Sequence, residues 1–124
     1  MDTPKLFDAE YKFMSIVWRN EPVNSTALVK LANAELGWKK STTYTVIRKL
    51  SKRGVLKNEN SIVSSLVAKE DVLQTESQEL LDKKYNGSLK IFLVSFLEKE
   101  TISEKEAREL KRIIDEKTRK GAGS

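Results

Sequence analysis

Residues 39–67, KKSTTYTVIRKLSKRGVLKNENSIVSSLV, hold the pattern from which the rest of the chain is read. Thr43, Val46, Ile47 and Leu50 recur at three and four residues, the spacing of one buried helix face. The spacing predicts a helix from about Ser41 to Arg53, stopped at Gly54. Its opposite face carries Ser41, Tyr44, Thr45, Arg48 and Lys52. Two β-like runs follow, Val55–Lys57 and Ile62–Val67, separated by the turn cluster Asn58-Glu59-Asn60-Ser61. A small hairpin directly after a basic amphipathic helix is the pattern of a winged helix.

The elements upstream agree with that reading. A first helix is expected from Asp8 to about Arg19, capped by Asp8 with Phe7 packed before the cap. Phe13, Met14, Val17 and Trp18 form its apolar stripe, and Asn20-Glu21-Pro22 ends it. Val23 reads as a very short strand. A second helix starts at Asn24 or Ser25, turns Ala27, Leu28, Leu31 and Leu36 inward, and stops at Gly37. The tight connection between the second and third helices is that of a helix-turn-helix. Trp18 and Trp38 read as packing residues.

Charge singles out the third helix. The chain has 124 residues and a formal net charge of +5. Residues 39–57 hold seven basic residues and no acidic one, which leaves 16 basic and 18 acidic residues elsewhere, a net of −2. A solvated helix usually mixes signs, so a single-sign block reads either as a Lys-rich surface or as the footprint of a polyanion such as nucleic acid. The phosphate-anchoring candidates are Lys39, Lys40, Lys49, Lys52 and Arg53. The chain contains no cysteine and no histidine. Disulfides, a thiol nucleophile, the serine triad and the commonest zinc ligands are thereby excluded, and neither an enzyme, a cofactor nor a metal site is expected. The carboxylate pairs Glu98/Glu100 and Glu104/Glu106 have a spacing of two, which places each pair on different helix faces; they read as solvated or capping groups. The N-terminus is too polar for a signal peptide, and no stretch approaches 18 apolar residues. The expectation is a cytoplasmic protein without direct membrane binding.

Beyond Ala68 the pattern is helical throughout: residues 69–85, then the strongly apolar 89–99, then a helix opened by Ser103 and Glu106 as a capping box, with Ala107, Leu110, Ile113 and Ile114 on one stripe. Three helices of this size rarely bury enough surface to fold alone. A middle helix that is apolar nearly all round must be covered. A second copy of the chain is the economical cover, with Leu89, Phe92, Leu93, Phe96, Leu97, Leu110, Ile113 and Ile114 at the interface; folding back onto the N-terminal half is the alternative. The fold class is therefore mainly α with a small β-wing: a winged helix-turn-helix over residues 1–68 and a C-terminal helical dimerisation region over 69–120. Residues 121–124 read as a disordered tail with the composition of an expression tag.

Trp38 to Gly54 (WKKSTTYTVIRKLSKRG), Lys84 to Glu100 (KYNGSLKIFLVSFLEKE) and the early EYKFMSIVW segment together resemble the BlaI/MecI family, the penicillinase and methicillin-resistance repressors. The resemblance covers nearly the whole chain. It implies a homodimeric winged-helix repressor that binds inverted-repeat operator DNA ahead of β-lactam resistance genes. It also implies a membrane β-lactam sensor-protease pathway that leads to cleavage in the dimerisation region. By position, Ser41, Thr42, Tyr44, Thr45 and Arg48 lie where the family's recognition helix meets DNA, with Arg48 the candidate reader of guanine. The family's scissile bond joins Asn to Phe; the matching bond here joins Ser95 to Phe96. The wing is shorter than is usual in the family and lacks its aromatic residues. The copper-responsive relatives carry a C-terminal cysteine motif, which this chain lacks. A reading from another class is a nucleic-acid-binding architectural module without operator specificity.

Overall fold

The computed structural model describes residues 3–122. The chain divides into two compact units, Met1–Glu79 and Leu80–Ser124.

In the first unit, helix α1 (Asp8–Asn20) leads through the short strand β1 (Val23–Asn24) into α2 (Ser25–Leu36) and α3 (Lys40–Lys52). The hairpin β2 (Leu56–Glu59) and β3 (Ile62–Ser65) follows, and α4 (Lys69–Lys84) leaves the unit. The sheet has the order β1-β3-β2 and is antiparallel throughout, with Val23 opposite Val63 and Leu56 opposite Ser65. Among the described residues, fourteen apolar ones are buried, from Leu6 to Val72, and all lie in this unit. Phe13, Met14, Ile16 and Val17 of α1 meet Leu28 and Ala32 of α2, Ile47 and Leu50 of α3, and Val55, Leu56 and Val63 of the hairpin. Both tryptophans pack as expected. Trp38 stacks on Phe13 at 5.4 Å, and the Trp18 indole N–H donates to the Val67 carbonyl at 3.1 Å.

Local chemistry sets the ends of these elements. Asp8 does not cap α1: the cap position is Phe7, and Glu10 reaches back to accept from the Phe7 backbone N–H at 2.9 Å. Phe7 is exposed, and its neighbour Leu6 fills the core instead. Asn24 caps α2 by accepting from the Thr26 N–H at 2.8 Å. Gly37 closes α2 at φ +70°, a conformation that glycine adopts without a Cβ clash. The hairpin turn is tighter than the sequence cluster indicated. Only Asn60 and Ser61 lie outside the strands, both with positive φ, the geometry of a two-residue primed turn. Strand pairing therefore extends to Glu59. The Ser61 carbonyl accepts from the Ser25 N–H at 2.7 Å, which ties the hairpin tip to the start of α2.

The division at Glu79 differs from the boundary expected after Ala68. Val72 in the first turns of α4 is 1% exposed and belongs to the first unit's core, so α4 begins as part of the winged helix. In the second unit, α5 (Leu89–Leu97) is capped by Ser88, whose hydroxyl accepts from the Ile91 N–H at 3.0 Å. Helix α6 (Glu104–Ala122) starts with Ser103 accepting from the Glu106 N–H at 3.0 Å, one half of the expected capping box. Because α6 runs through Ala122, the first two residues of the expected disordered tail are helical; Gly123 and Ser124 lie outside the described residues. No residue of α5 is buried. No helix of the described residues is long and apolar enough to cross a membrane.

Candidate nucleic-acid interface

Helix α3 is held by one stripe and presents the other. Thr43, Ile47 and Leu50 are buried, and Val46 packs against the core at its margin. The helical period then fixes the outward set: Lys39, Lys40, Ser41, Thr42, Arg48, Lys49 and Lys52 are exposed, and Tyr44 and Thr45 are half-buried. Tyr44 sits beside the start of α2, its hydroxyl 3.4 Å from the Ser25 hydroxyl. The Arg48 guanidinium lies 3.4 Å from the Thr45 hydroxyl. The structure thus brings nine of the ten expected residues onto one exposed surface.

The tenth, Arg53, is engaged elsewhere. Its guanidinium pairs with Glu10 at 2.6 Å and donates to the Lys5 carbonyl. The other cations of the helix have no such partner: among the described residues, Lys39, Lys40, Arg48, Lys49 and Lys52 form no ion pair. Two carboxylates of this unit are engaged elsewhere, Glu35 by Arg19 at 2.6 Å and Glu21 by the backbone and hydroxyl of Ser65. Five cations of α3 and its cap thus stand exposed without a carboxylate partner among the described residues.

Two features of α3 work against its own stability. Lys39 occupies the N-cap with no side-chain hydrogen bond, and Lys40 follows at the first helical position. Lysine is a poor cap, and a cation at a helix N-terminus opposes the macrodipole. The same arrangement leaves the backbone N–H groups of the first turn, beside the Ser41 and Thr42 hydroxyls, open to an anion.

The expected interface residues of the second unit divide in two. Leu93, Phe96, Leu97 and Leu110 line a groove of about 290 Å³ with Ile102, while Phe92 meets Tyr85 edge to face at 5.1 Å and stacks on Phe96 at 6.2 Å. Leu89, Ile113 and Ile114 stand outside that groove, and each is about half exposed. Ile91 and Val94, which the expected set omitted, are exposed on another face of α5. The unbroken apolar run of α5 held the signal for them.

These elements define a winged-helix DNA-binding domain followed by a small helical unit with uncovered apolar faces. A family model described as Penicillinase repressor matches residues 6–116, and the chain belongs to that family, whose members are transcriptional repressors and not enzymes. The chain is 28% identical over 117 residues to the penicillinase repressor of Bacillus licheniformis, covering 91% of both chains. It is 29% identical over 119 residues to the methicillin resistance regulatory protein MecI of Staphylococcus aureus strain Mu50, covering 93% of this chain and 97% of the relative. Among solved structures it is similar to the solution structure of monomeric Bacillus licheniformis BlaI in complex with the blaP half-operator, with a TM-score of 0.50, 24% identity and coverage of 57% of this chain and 93% of that one. The DNA-binding domain of the repressor BlaI matches with a TM-score of 0.51 at 22% identity, over the same shares. Both structural likenesses bear on the fold.

The uncapped start of α3 generates a prediction. Lys39→Ser supplies a cap and removes a misplaced cation, so urea unfolding should show a gain of about 0.5–1 kcal/mol. Duplex DNA binding should weaken at the same time. A loss of stability would show that Lys39 serves the fold.

Proposed function

We propose that the chain is a dimeric, sequence-specific DNA-binding repressor of β-lactam resistance-type genes, acting in the cytoplasm on inverted-repeat operators. The exposed basic face of α3, carried on a helix-turn-helix, is the observation that supports this most directly. Exposed lysines at both ends of α3 anchor phosphates, and Arg48 at its centre donates two hydrogen bonds to the major-groove edge of guanine. Ser41, Thr42, Tyr44 and Thr45 contact the backbone or thymine methyl groups. The hairpin tip is drawn back onto α2, so direct reading falls to α3 rather than to the wing.

The second unit supports the assembly. Eight apolar side chains of α5 and α6 are at least 40% exposed in the single chain: Leu89, Ile91, Val94, Phe96, Leu97, Leu110, Ile113 and Ile114. A unit of this size with its apolar residues uncovered lacks the burial for independent stability, and a second copy supplies it. A two-fold dimer then presents two recognition helices to two half-sites. Cleavage between Ser95 and Phe96, inside α5, would divide the interface helix and release the operator; the bond lies in the position that the family uses. Mass spectrometry of the chain from β-lactam-treated cells carrying the cognate sensor should show the two fragments, and an intact chain would exclude this step.

Two further outcomes test the proposal. With four lysines per protomer on phosphates, log K should fall with log salt at a slope of roughly −7 for a dimer. Arg48→Ala should cost about 1–3 kcal/mol and relax preference at one base pair per half-site. A slope shallower than about −2 counts against α3 as the footprint, equal losses on operator and random duplex make Arg48 a phosphate anchor, and a specific-to-non-specific affinity ratio near one favours the architectural reading. Phe96→Asp places a carboxylate in the interface, while in a separated chain the half-exposed position lets it hydrate. Sedimentation should show a monomer at micromolar concentration, and operator affinity should collapse because the half-sites are no longer linked. A mutant that stays dimeric removes Phe96 from the interface.

A further inference from the structure

One cation of the basic block is taken up inside the first unit. Arg53 occupies the C-cap of α3, directly before Gly54 at φ +75° and the buried Val55 and Leu56 of the hairpin. Its Nη1 donates to Glu10 Oε2 at 2.6 Å and its Nη2 donates to the Lys5 carbonyl. The guanidinium stands 6.0 Å from the centre of the Phe7 ring. The Glu10 side chain is 14% exposed, and its other oxygen accepts from the Phe7 N–H. Leu6 is 3% exposed, and the Lys5 ammonium pairs with Glu79 of α4 at 3.1 Å. Residues 5–7 thus form a strap across the end of α3, fixed by a core side chain, two ion pairs and two backbone groups.

We infer that Arg53 is a positioning residue: through Glu10 and the Lys5 carbonyl it latches the C-terminal end of α3, and it makes no phosphate contact. The inference rests on the DNA-binding reading of α3. The start of the helix is fixed by its buried stripe and by Trp38 stacked on Phe13, with no side-chain cap at Lys39, and its last turn depends on what holds the C-cap. Arg48 and Lys52 stand within the last two turns, next to that end. Base reading requires donors placed within a fraction of an ångström, whereas phosphate attraction tolerates tilt. A free last turn therefore costs specific binding more than non-specific binding. The two bonds diverge from one planar guanidinium, a geometry that a lysine ammonium does not reproduce.

The test uses the full chain and two probes: a duplex enriched by the wild type from a random pool, and a random-sequence duplex. The latch predicts that Glu10→Gln and Arg53→Lys each weaken the enriched duplex by about tenfold, since each breaks or loosens a charged hydrogen bond. Random-duplex affinity should change little and the salt slope should stay at the wild-type value. Direct electrostatics predicts the reverse, because Glu10→Gln removes a negative charge and Arg53→Lys keeps a positive one. Tighter binding by Glu10→Gln, unchanged binding by Arg53→Lys, or a slope shallower by about 1.8 per dimer in Arg53→Gln would overturn the inference. Circular dichroism at the binding temperature verifies folding, and Arg53→Lys is the mildest variant. If the wild type enriches no duplex and binds none at low salt, the DNA reading fails by itself. The latch is then read by a urea double-mutant cycle of Arg53→Gln with Glu10→Gln: non-additivity supports it and additivity overturns it.

Discussion

Burial of Thr43, Ile47 and Leu50 against α1 and α2 is the constraint from which the arrangement of the DNA-facing surface follows. With those side chains inward, a period of 3.6 residues leaves Arg48, Lys49 and Lys52 no direction but outward. The stripe also sets how α3 lies on its scaffold, because Ile47 and Leu50 belong to one core with Phe13, Leu28 and Val63. Thr43 fits this apolar site because its hydroxyl lies within hydrogen-bond distance of the Lys39 carbonyl, at 3.3 Å, so no polar group is left unpaired. The connection before α3 serves the same end: Gly37 turns the chain, the Asn33 amide donates to the Trp38 carbonyl at 3.0 Å, and Trp38 is stacked on Phe13.

The two units divide the work unequally. The first contains every buried apolar residue among those described, and several polar groups pair across it: Glu21 with Ser65, Arg19 with Glu35, Arg53 with Glu10. It has the character of a domain whose stability is its own. The second has good helix caps, at Ser88 and Ser103, but little interior. Caps decide where a helix starts and contribute about 1 kcal/mol each, which does not replace a core. In the proposed function this division ties operator affinity to association, because the first unit holds its own core and the second leaves its apolar residues uncovered in the single chain.

Periodicity and charge made much of this legible beforehand. The helix-turn-helix, the short strand at Val23, the hairpin and the order of the three C-terminal helices followed from apolar spacing, from Gly37 and Gly54, and from Asn24 and Ser103 near helix starts. The outward face of α3 was equally readable, since amphipathic period and a block without acidic residues point the same way. Less legible were the starting cap of α1 and the end of the first unit. Asp8 looked like the better cap, yet Leu6 fits the core, and its burial moves the helix start to Phe7 with Glu10 as the acceptor. Val72 gave no sign in the weakly periodic α4 that it would complete a core built from residues 6–63.

What the sequence determined by itself is whatever depends on neighbours along the chain: helix and strand segments, their facing, the charge on α3 and the family to which the chain belongs. What only the tertiary structure decided is which groups far apart in the chain find each other. Arg53 is one more cation in a basic run until Glu10 and the Lys5 carbonyl, more than forty residues earlier, are placed beside it. The wing tip is one more turn until the Ser61 carbonyl meets the Ser25 N–H. A helix period fixes direction about an axis, but it carries no information on which distant carboxylate or carbonyl the packed core will bring within hydrogen-bond reach.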